Sequence, residues 1–401
     1  MHQIRRYVRR IATLGVVVTL VGAAALQTAS DASKKPPIIL GYQNTQTGYL
    51  AFPQFTDGVN AAEKYVNSHG GVNDRQLKID QCFTDGTTTA SLNCANTIVQ
   101  DKAIGVLGGE DLGIDATIPV YNSAKLATIA MPVLGTASLT NPSLFGFTSA
   151  GTATDEGAMI TMKAQGVTNV GYVAPDLPTF QSHFTDVIQP LAADLGLTAN
   201  LVSYSLTSPD YTTAVQTAQA AGDTGLVDLS TEAGCLALGT AVSQLAFKGP
   251  VVYTDCIQFV STLGAAAAGA SVFSFLWLPQ DISAAPASEQ AEIKIYTSAM
   301  SKAGHASEID NATAAQGFAL VMNAASVLGT IKGTPTKAAL FQKLRSLKNF
   351  PSFMGQPVTC DPRPVLGQAA CGKSLLVYRV TSAGKFKLQG NGFLFLPALP
   401  S

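Results

Sequence analysis

The stretch ILGYQNTQTGYLAFPQFTDGVNAAEKYVNSHGGVNDRQLKI, residues 39–79, decides the fold. An apolar run at 38–42 predicts a strand, and a polar loop leads from it into a helical pattern at 58–69. Apolar residues recur every three or four positions in that helix, and Gly70-Gly71 ends it, because glycine readily takes the left-handed conformation found at helix C-termini. A second strand is predicted at 76–80. The order of strand, helix and strand predicts a βα unit of a parallel sheet.

The same alternation continues in two series of βα units, the first ending near residue 131 and the second beginning near residue 155. Repeated units of this length predict an α/β protein with two doubly wound parallel-sheet lobes. Later patterns predict helices at 286–303, 312–331 and 335–347 and a β-hairpin at 375–388. Ligands of open parallel sheets bind beyond the carboxyl ends of the strands. The loops at these ends are 43–53, 109–113, 132–137, 174–180, 230–234 and 254–258.

The composition is that of a globular protein with little net charge. Hydrophobic residues make up 47% of the 401 residues, charged residues make up 13%, and the formal net charge is −1. A chain of this length is long enough for two domains with sizeable cores. Because the charge is close to zero, no nucleic-acid partner is expected.

Residues 1–30 are typical of an export signal. Arginines between positions 5 and 10 precede an uncharged apolar run at 11–26, and small residues follow. The run is slightly short for a bilayer-spanning helix, which needs about 17–25 residues, and both a cleaved signal and a retained anchor remain open. No cysteine precedes Cys82, so a lipoprotein is not expected. We expect an exported protein, in the periplasm or on the extracellular face of the cell envelope.

Six cysteines in an exported chain predict disulfides. They are Cys82, Cys94, Cys235, Cys256, Cys360 and Cys371. Of the fifteen possible connectivities, we favour the three sequence-local pairs, 82–94, 235–256 and 360–371. A metal site is the alternative interpretation, but the sequence has no Cys-x-x-Cys and its four histidines are scattered, so no metal is expected.

One segment matches a nucleotide-binding motif. Residues 367–374, GQAACGKS, fit the pattern G-x-x-x-x-G-K-S. A phosphate-binding loop needs a helix after it, whereas a β run at 375–380 follows here, so we interpret the segment as a surface loop closed by a disulfide. The sequence also lacks G-x-S-x-G and His-Glu-x-x-His. We therefore expect no catalytic residues, no cofactor and no enzyme activity.

Several segments, in order along the chain, resemble the leucine/isoleucine/valine-binding protein family. The opening stretch carries Thr47-Gly48 after the first strand, the helix GVNAAEKYVN, and the turn Gly70-Gly71-Val72-Asn73. Asp74 stands where the family usually has glycine. Later matches are GVLGG (105–109), TNPSLF (140–145), GTATDEG (151–157), SPDYTTAV (208–215) and DNATAAQGFALVMNAA (310–325). Together they span nearly the whole chain after the signal.

The resemblance implies the type 1 periplasmic-binding-protein fold, in which two lobes are joined by a hinge of three chain crossings. Lobe 1 would hold 37–150 plus 275–357, and lobe 2 would hold 151–274 plus 358–398. It also implies a monomer that binds an amino acid or similar small polar, amine-bearing solute in the interlobe cleft and delivers it to an ABC permease. A ligand-sensing domain that docks on a membrane receptor is the alternative, because the fold serves both functions.

The strand-end rule and the resemblance together give the candidate ligand-binding residues. In lobe 1 they are Thr47, Tyr49, Phe52, Glu110, Asp111, Leu134, Gly135 and Thr136. In lobe 2 they are Phe180, Thr231, Glu232 and Asp255. Asp255 falls where the family places an acid for the ligand ammonium. Glu110 and Asp111 replace a Ser-rich loop that holds the ligand carboxylate in the family, and an acidic pair would repel that carboxylate, so branched-chain amino acids are disfavoured.

Overall fold

The computed structural model describes residues 35–48, 50–132, 136–254, 256–363 and 369–395. The export signal expected at 1–30 lies outside the described residues. Two sheets organise the described chain, one of five strands and one of eight. Both are built mainly from parallel strands connected by helices, which confirms the predicted α/β fold class.

The five-stranded sheet is parallel throughout, in the order β2-β1-β3-β4-β5. Its strands are β1 (Ile38–Thr45), β2 (Leu77–Thr84), β3 (Gly105–Gly108), β4 (Ala127–Ala130) and β5 (Leu144–Gly146). The connecting helices are α1 (Pro53–Ser68), α2 (Thr88–Gln100), α3 (Ile114–Ser123) and α4 (Thr136–Thr140). Every residue of β3 and β4 is buried, as expected for strands covered by helices on both faces.

The eight-stranded sheet has the order β12-β11-β10-β9-β8-β6-β7, and its eighth strand, β13, pairs with β11. The strands are β6 (Asn169–Pro175), β7 (Thr198–Tyr204), β8 (Gly225–Asp228), β9 (Val251–Thr254), β10 (Ser271–Ser274), β11 (Ser374–Val380), β12 (Phe386–Leu388) and β13 (Leu394–Phe395). Its helices are α5 (Thr152–Ala164), α6 (Pro178–His183), α7 (Gln189–Asp194), α8 (Tyr211–Ala220), α9 (Glu232–Gln244) and α10 (Gln258–Leu263). β11 runs antiparallel to β10 and β12, so the predicted C-terminal hairpin is present.

The helical pattern of residues 180–195 predicts a single helix, and this prediction is wrong. The chain forms α6, then a π-helical turn at Phe184–Ile188, and then α7. Pro190 explains the interruption, because proline has no N–H to donate to the carbonyl of Asp186 four residues earlier. The backbone N–H of Gln189 instead bonds the carbonyl of Phe184.

After β10 the chain returns to the five-stranded sheet through α11 (Ala287–Ala303), α12 (Ala312–Gly329) and α13 (Lys337–Arg345). The backbones of α12 and α1 approach closely at two glycines. A Cβ at Gly58 would lie 2.0 Å from the Ala314 carbonyl oxygen, and one at Gly317 would lie 2.1 Å from that of Phe55. By length and composition α12 could cross a membrane, but 72% of it is buried inside the protein, so here it is a core helix.

The six cysteines form the three pairs favoured from the sequence, Cys82–Cys94, Cys235–Cys256 and Cys360–Cys371. The first pair links β2 to α2, and the second links α9 to the loop after β9. The third joins the two segments that flank residues 364–368, which lie outside the described residues. Each bridge therefore fixes a local connection within one part of the fold.

The interpretation of the GKS segment as a surface loop needs correction. Ala369, Ala370, Cys371 and Gly372 are buried, so most of its described part lies inside the protein, although Lys373 is exposed. The backbone N–H groups of Lys373 and Ser374 donate to the Gln356 side-chain oxygen at 2.9 and 3.1 Å. These two donors are thus already used within the protein, and a strand follows them.

Candidate functional site

Asp111 follows β3 and is fully buried beneath several hydrogen-bond donors. Its carboxylate accepts from Gln43 Nε2, Thr45 Oγ1 (3.3 Å), Thr84 Oγ1 (2.7 Å), Ser91 Oγ (3.0 Å) and the Gly113 N–H (3.4 Å). The Tyr121 hydroxyl donates to Gln43 Oε1 and so orients the amide of Gln43 with its N–H group toward Asp111. Donors of this kind make burial of a carboxylate tolerable. Asp111 therefore anchors the loop after β3 to β1, β2 and α2.

Glu110, the adjacent residue, has a different environment. Its backbone N–H donates to Asn44 Oδ1 at 3.0 Å, but its carboxyl has no hydrogen-bond or ion-pair partner among the described residues. The residue is only 9% exposed, and this burial raises the pKa of its carboxyl to about 8. After burial itself, its charge also contributes to the raised pKa of Tyr42 on β1. Within the described part of the chain, Glu110 is thus a buried acid with unused hydrogen-bonding capacity at the carboxyl end of β3.

The loop after β1 folds back onto its own strand. The Phe52 N–H donates to the Thr45 carbonyl at 2.9 Å, and the Phe52 carbonyl accepts from Asn44 Nδ2 at 2.9 Å. Phe52 is half-buried against the core, and Thr47 is exposed. Tyr49 lies outside the described residues.

The loop after β4 leads into the short helix α4. Leu134 and Gly135 lie outside the described residues, and Thr136 is the first residue of α4. The next two backbone N–H groups, of Ala137 and Ser138, donate to the Asp115 carboxylate at 3.1 and 2.9 Å. An acid of the chain therefore already occupies donors that could have served a ligand anion, and no pattern in the sequence indicates this pairing.

The candidates from lobe 2 follow β6, β8 and β9. Phe180 in α6 is half-buried and packs against the core. Thr231 caps α9, and its hydroxyl accepts from the Gly234 N–H at 3.4 Å. Asp255 lies outside the described residues. The described candidates are thus placed at strand carboxyl ends of both sheets, and their contact with a ligand stays a prediction.

Glu232, the first residue of α9, is engaged by backbone donors. Its Oε1 accepts from the N–H groups of Ile257 (2.9 Å) and Ala312 (3.4 Å), and its Oε2 accepts from that of Gln258 (3.0 Å). Burial raises the pKa of this carboxyl to about 7, although these hydrogen bonds act in the opposite direction. The loops after β8 and β9 and the start of α12 therefore meet at one side chain.

Asp228, the last residue of β8, was not singled out from the sequence. It is fully buried, and burial raises the pKa of its carboxyl to about 7. Ser230 Oγ donates to Oδ2 at 2.7 Å, while Oδ1 has no partner among the described residues. The carboxylate lies within 4.8 Å of both sulfurs of Cys235–Cys256, but these sulfurs are joined in a disulfide and are not free thiolate ligands for a metal.

A second missed acid is Asp155 in the first turn of α5. Its Oδ1 accepts from the Tyr172 hydroxyl at 2.8 Å, and its Oδ2 lies 3.0 Å from His183 Nε2. These contacts join α5, β6 and α6. Sequence reasoning had no means of pairing them, because they are separated by 17 and 28 positions in the chain.

The family profile described as "Periplasmic binding protein" matches residues 37–384. The chain belongs to the periplasmic binding protein family. This agrees with the resemblance found in the sequence and with the two mainly parallel sheets. No curated protein matches this periplasmic binding protein in sequence.

Solved structures with the same fold share little sequence with this chain. An ABC transporter substrate-binding protein from Aeropyrum pernix aligns with a TM-score of 0.75 at 15% identity, over 91% of this chain and 97% of its own. LivJ from Streptococcus pneumoniae, a branched-chain amino acid transporter substrate-binding protein in complex with isoleucine, aligns at 0.68 and 15% identity, over 90% and 99%. A fatty acid ABC transporter substrate-binding protein from Thermomonospora curvata aligns at 0.72 and 15% identity, over 90% and 92%. At these identities the likeness establishes the type 1 periplasmic-binding-protein fold.

Proposed function

We propose that this periplasmic binding protein is an exported, monomeric solute-binding component of an ABC transporter. It would bind an amino acid or similar small, amine-bearing solute between lobe 1 (37–150 plus 275–357) and lobe 2 (151–274 plus 358–398), and hand it to a membrane permease. Support comes from the family match and from structural relatives that are ABC transporter substrate-binding proteins. The position of the described candidates at strand carboxyl ends also supports it.

The preference for an amine rests on Glu110. Its carboxyl is buried at the carboxyl end of β3 and has no partner among the described residues. An isolated buried acid favours its neutral form, because the charge is costly without a partner. A ligand ammonium would supply that partner and displace the proton. Asp255 would approach the same group from the loop after β9.

A free carboxylate on the ligand would find few donors nearby. Asp115 already accepts the N–H groups of Ala137 and Ser138 at the start of α4. The remaining candidates are the backbone N–H groups of Leu134, Gly135 and Thr136, in the segment that follows β4. This arrangement favours a ligand with an amine and a weakly charged or neutral remainder over a branched-chain amino acid.

The other candidates would shape the site around this charge pair. Tyr49, Phe52 and Phe180 would supply apolar walls, as aromatic residues commonly do in ligand clefts. Thr47 and Thr231 would add hydroxyl groups at the edge of the cleft. Half-buried Phe52 and Phe180 each have apolar surface available for such a contact.

A thermal-shift screen tests the proposed ligand class. Each amino acid should be compared with its amide and with its analogue lacking the amine, alongside polyamines, sugars, aromatic acids and fatty acids. A ligand at 100 times its Kd stabilises a protein by about 2.7 kcal/mol, which gives a clear shift. We expect shifts only from compounds that carry an amine. Stabilisation by acids without an amine would contradict the proposal.

Calorimetry with the ligand so identified then tests the residues. Glu110→Gln and Asp255→Asn should each weaken binding at least about tenfold, or about 1.4 kcal/mol, since each loses the charge that pairs with the amine. Glu63→Gln is the matched control, because Glu63 is a partly buried acid on α1 that bonds the Ile79 N–H instead. Unchanged affinity in Glu110→Gln would mean that this carboxyl does not contact the ligand.

A further inference from the structure

The carboxylate of Glu232 joins parts of the chain that pack against different sheets. Glu232 and Gln258 begin α9 and α10, which belong to the eight-stranded sheet. Ala312 begins α12, which packs on α1 beside the five-stranded sheet. Oε1 of Glu232 accepts from both sides, from the Ile257 N–H at 2.9 Å and from the Ala312 N–H at 3.4 Å.

A second hydrogen bond crosses at the same place. Asn311 Nδ2 donates to Gln258 Oε1 at 3.4 Å, while Asn311 Oδ1 accepts from the Ala314 N–H and caps α12. Ile257, Ala312 and Trp277 also line one small shared cavity, and Trp277 lies just after β10, where the chain leaves the eight-stranded sheet. Contacts made beside such a crossing lie close to the axis about which two sheet units can move.

We propose that Glu232 is a positioning residue that ties the two sheet units together beside this crossing and thereby limits how far they open. The Ala312 N–H is one of the first donors of α12, which have no partner within their own helix. Opening would expose that donor and the carboxylate to water together. The proposal concerns the arrangement of the units and holds for any ligand class.

The strength of this tie between the two sheet units depends on pH, and the direction of the dependence follows from the raised pKa of Glu232. In the tied arrangement, burial raises the pKa of Glu232 to about 7, whereas an exposed glutamate titrates near its ordinary value of 4.5. The tied arrangement therefore takes up a proton between these values, so it is favoured at low pH and loses this advantage as pH rises through about 7. No described charged side chain contributes to this shift. The acids closest along the elements that meet here are Asp228 and Asp310, and Asp255 lies outside the described residues.

Hydrogen exchange and small-angle scattering on the ligand-free, full-length exported chain test the proposal. In Glu232→Ala, exchange should accelerate at least about tenfold, or about 1.4 kcal/mol, in both 256–260 and 311–315, and the radius of gyration should rise. Glu232→Gln keeps an amide oxygen for the Ile257 and Ala312 donors, so it should restore most of the protection at 311–315. Glu63→Gln, whose acceptor role lies within one unit, should change neither measurement.

A pH series separates this role from a purely local one. The radius of gyration of the wild type should rise between pH 5 and pH 8, and Glu232→Gln should show a smaller rise, because one titrating group is gone. Acceleration at 256–260 alone, with an unchanged radius, would show that Glu232 only caps α10 and would overturn the proposal. If Glu232→Ala does not fold, the pH series on Glu232→Gln decides, and a rise equal to that of the wild type overturns the proposal.

Discussion

His183 Nε2 lies 3.0 Å from Asp155 Oδ2, and this contact ties α6 to α5. Burial lowers the pKa of His183, but the hydrogen bond and the charge of Asp155 outweigh it, so the pKa is raised above its ordinary value of 6.5. The imidazolium is therefore more stable in the folded protein than in the unfolded chain. The pair makes α6, and with it Phe180, sensitive to pH.

We expect the His183–Asp155 pair to stabilise the fold fully below about pH 6.5 and to lose this contribution as pH rises through the raised pKa. His183→Gln should lower the free energy of unfolding by about 1 kcal/mol at pH 6 and by less at pH 8.5. Urea unfolding at both pH values measures this difference. His69→Gln, an exposed histidine, is the control. An equal loss at both pH values would contradict a role for the charge.

Asp111→Asn should destabilise the protein without changing its overall fold. The amide nitrogen would face Gln43 Nε2 in one orientation and the Gly113 N–H in the other, and both of these groups can only donate. We expect a loss of roughly 2–3 kcal/mol in the free energy of unfolding, the usual cost of a disrupted ionic hydrogen-bond cluster. Asp74→Asn, in an exposed pair with Lys35, should stay within about 0.5 kcal/mol of the wild type. Denaturant titration compares the two, and similar values would mean that Asp111 is not held as described.

Gly317→Ala should also destabilise, because its Cβ would meet the Phe55 carbonyl at 2.1 Å and force α12 away from α1. Overpacking of this kind costs about 1–3 kcal/mol. Gly329→Ala in the same helix has no atom within 4 Å of its Cβ, and alanine favours a helix over glycine by up to about 1 kcal/mol. Thermal unfolding should therefore move in opposite directions for the two variants. A neutral Gly317→Ala would show that the helices are not in backbone contact.

Non-reducing peptide mapping of the protein should find the links Cys82–Cys94, Cys235–Cys256 and Cys360–Cys371 and no free thiol. Replacing Cys82 and Cys94 together by serine should lower the free energy of unfolding by up to about 3 kcal/mol, in the chain-entropy description of a short loop. A crossed link, such as Cys94 to Cys235, would be incompatible with the separate positions of these residues.

Local patterns in the sequence were sufficient to predict the α/β fold class. Val59, Ala62 and Val66 recur at helical spacing, and all three are buried in α1. The disulfide pairs could be predicted from the sequence for the same reason, since each joins neighbouring elements. The break at Pro190 was also readable in principle, because proline removes a known hydrogen bond.

The candidate site was harder to predict from the sequence, because adjacent residues can have opposite environments. Glu110 and Asp111 look equivalent in the sequence, yet Asp111 is surrounded by donors and Glu110 has no partner among the described residues. Their difference depends on how the chain leaves β3, which no periodicity encodes. Likewise, Glu232 meets Ala312 across 80 positions, a contact that exists only once both sheets have formed.

The pairing of α1 with α12, and of β10 with β11, has a consequence for how the chain is made. The apolar stripe of α1 is covered by a helix that begins at Ala312, and the edge of β10 is closed by a strand that begins at Ser374. A chain emerging from the ribosome can complete neither unit until those late segments have been synthesised. Until then the chain lacks these two sets of long-range contacts, which favours transfer to another compartment as an incompletely folded polypeptide.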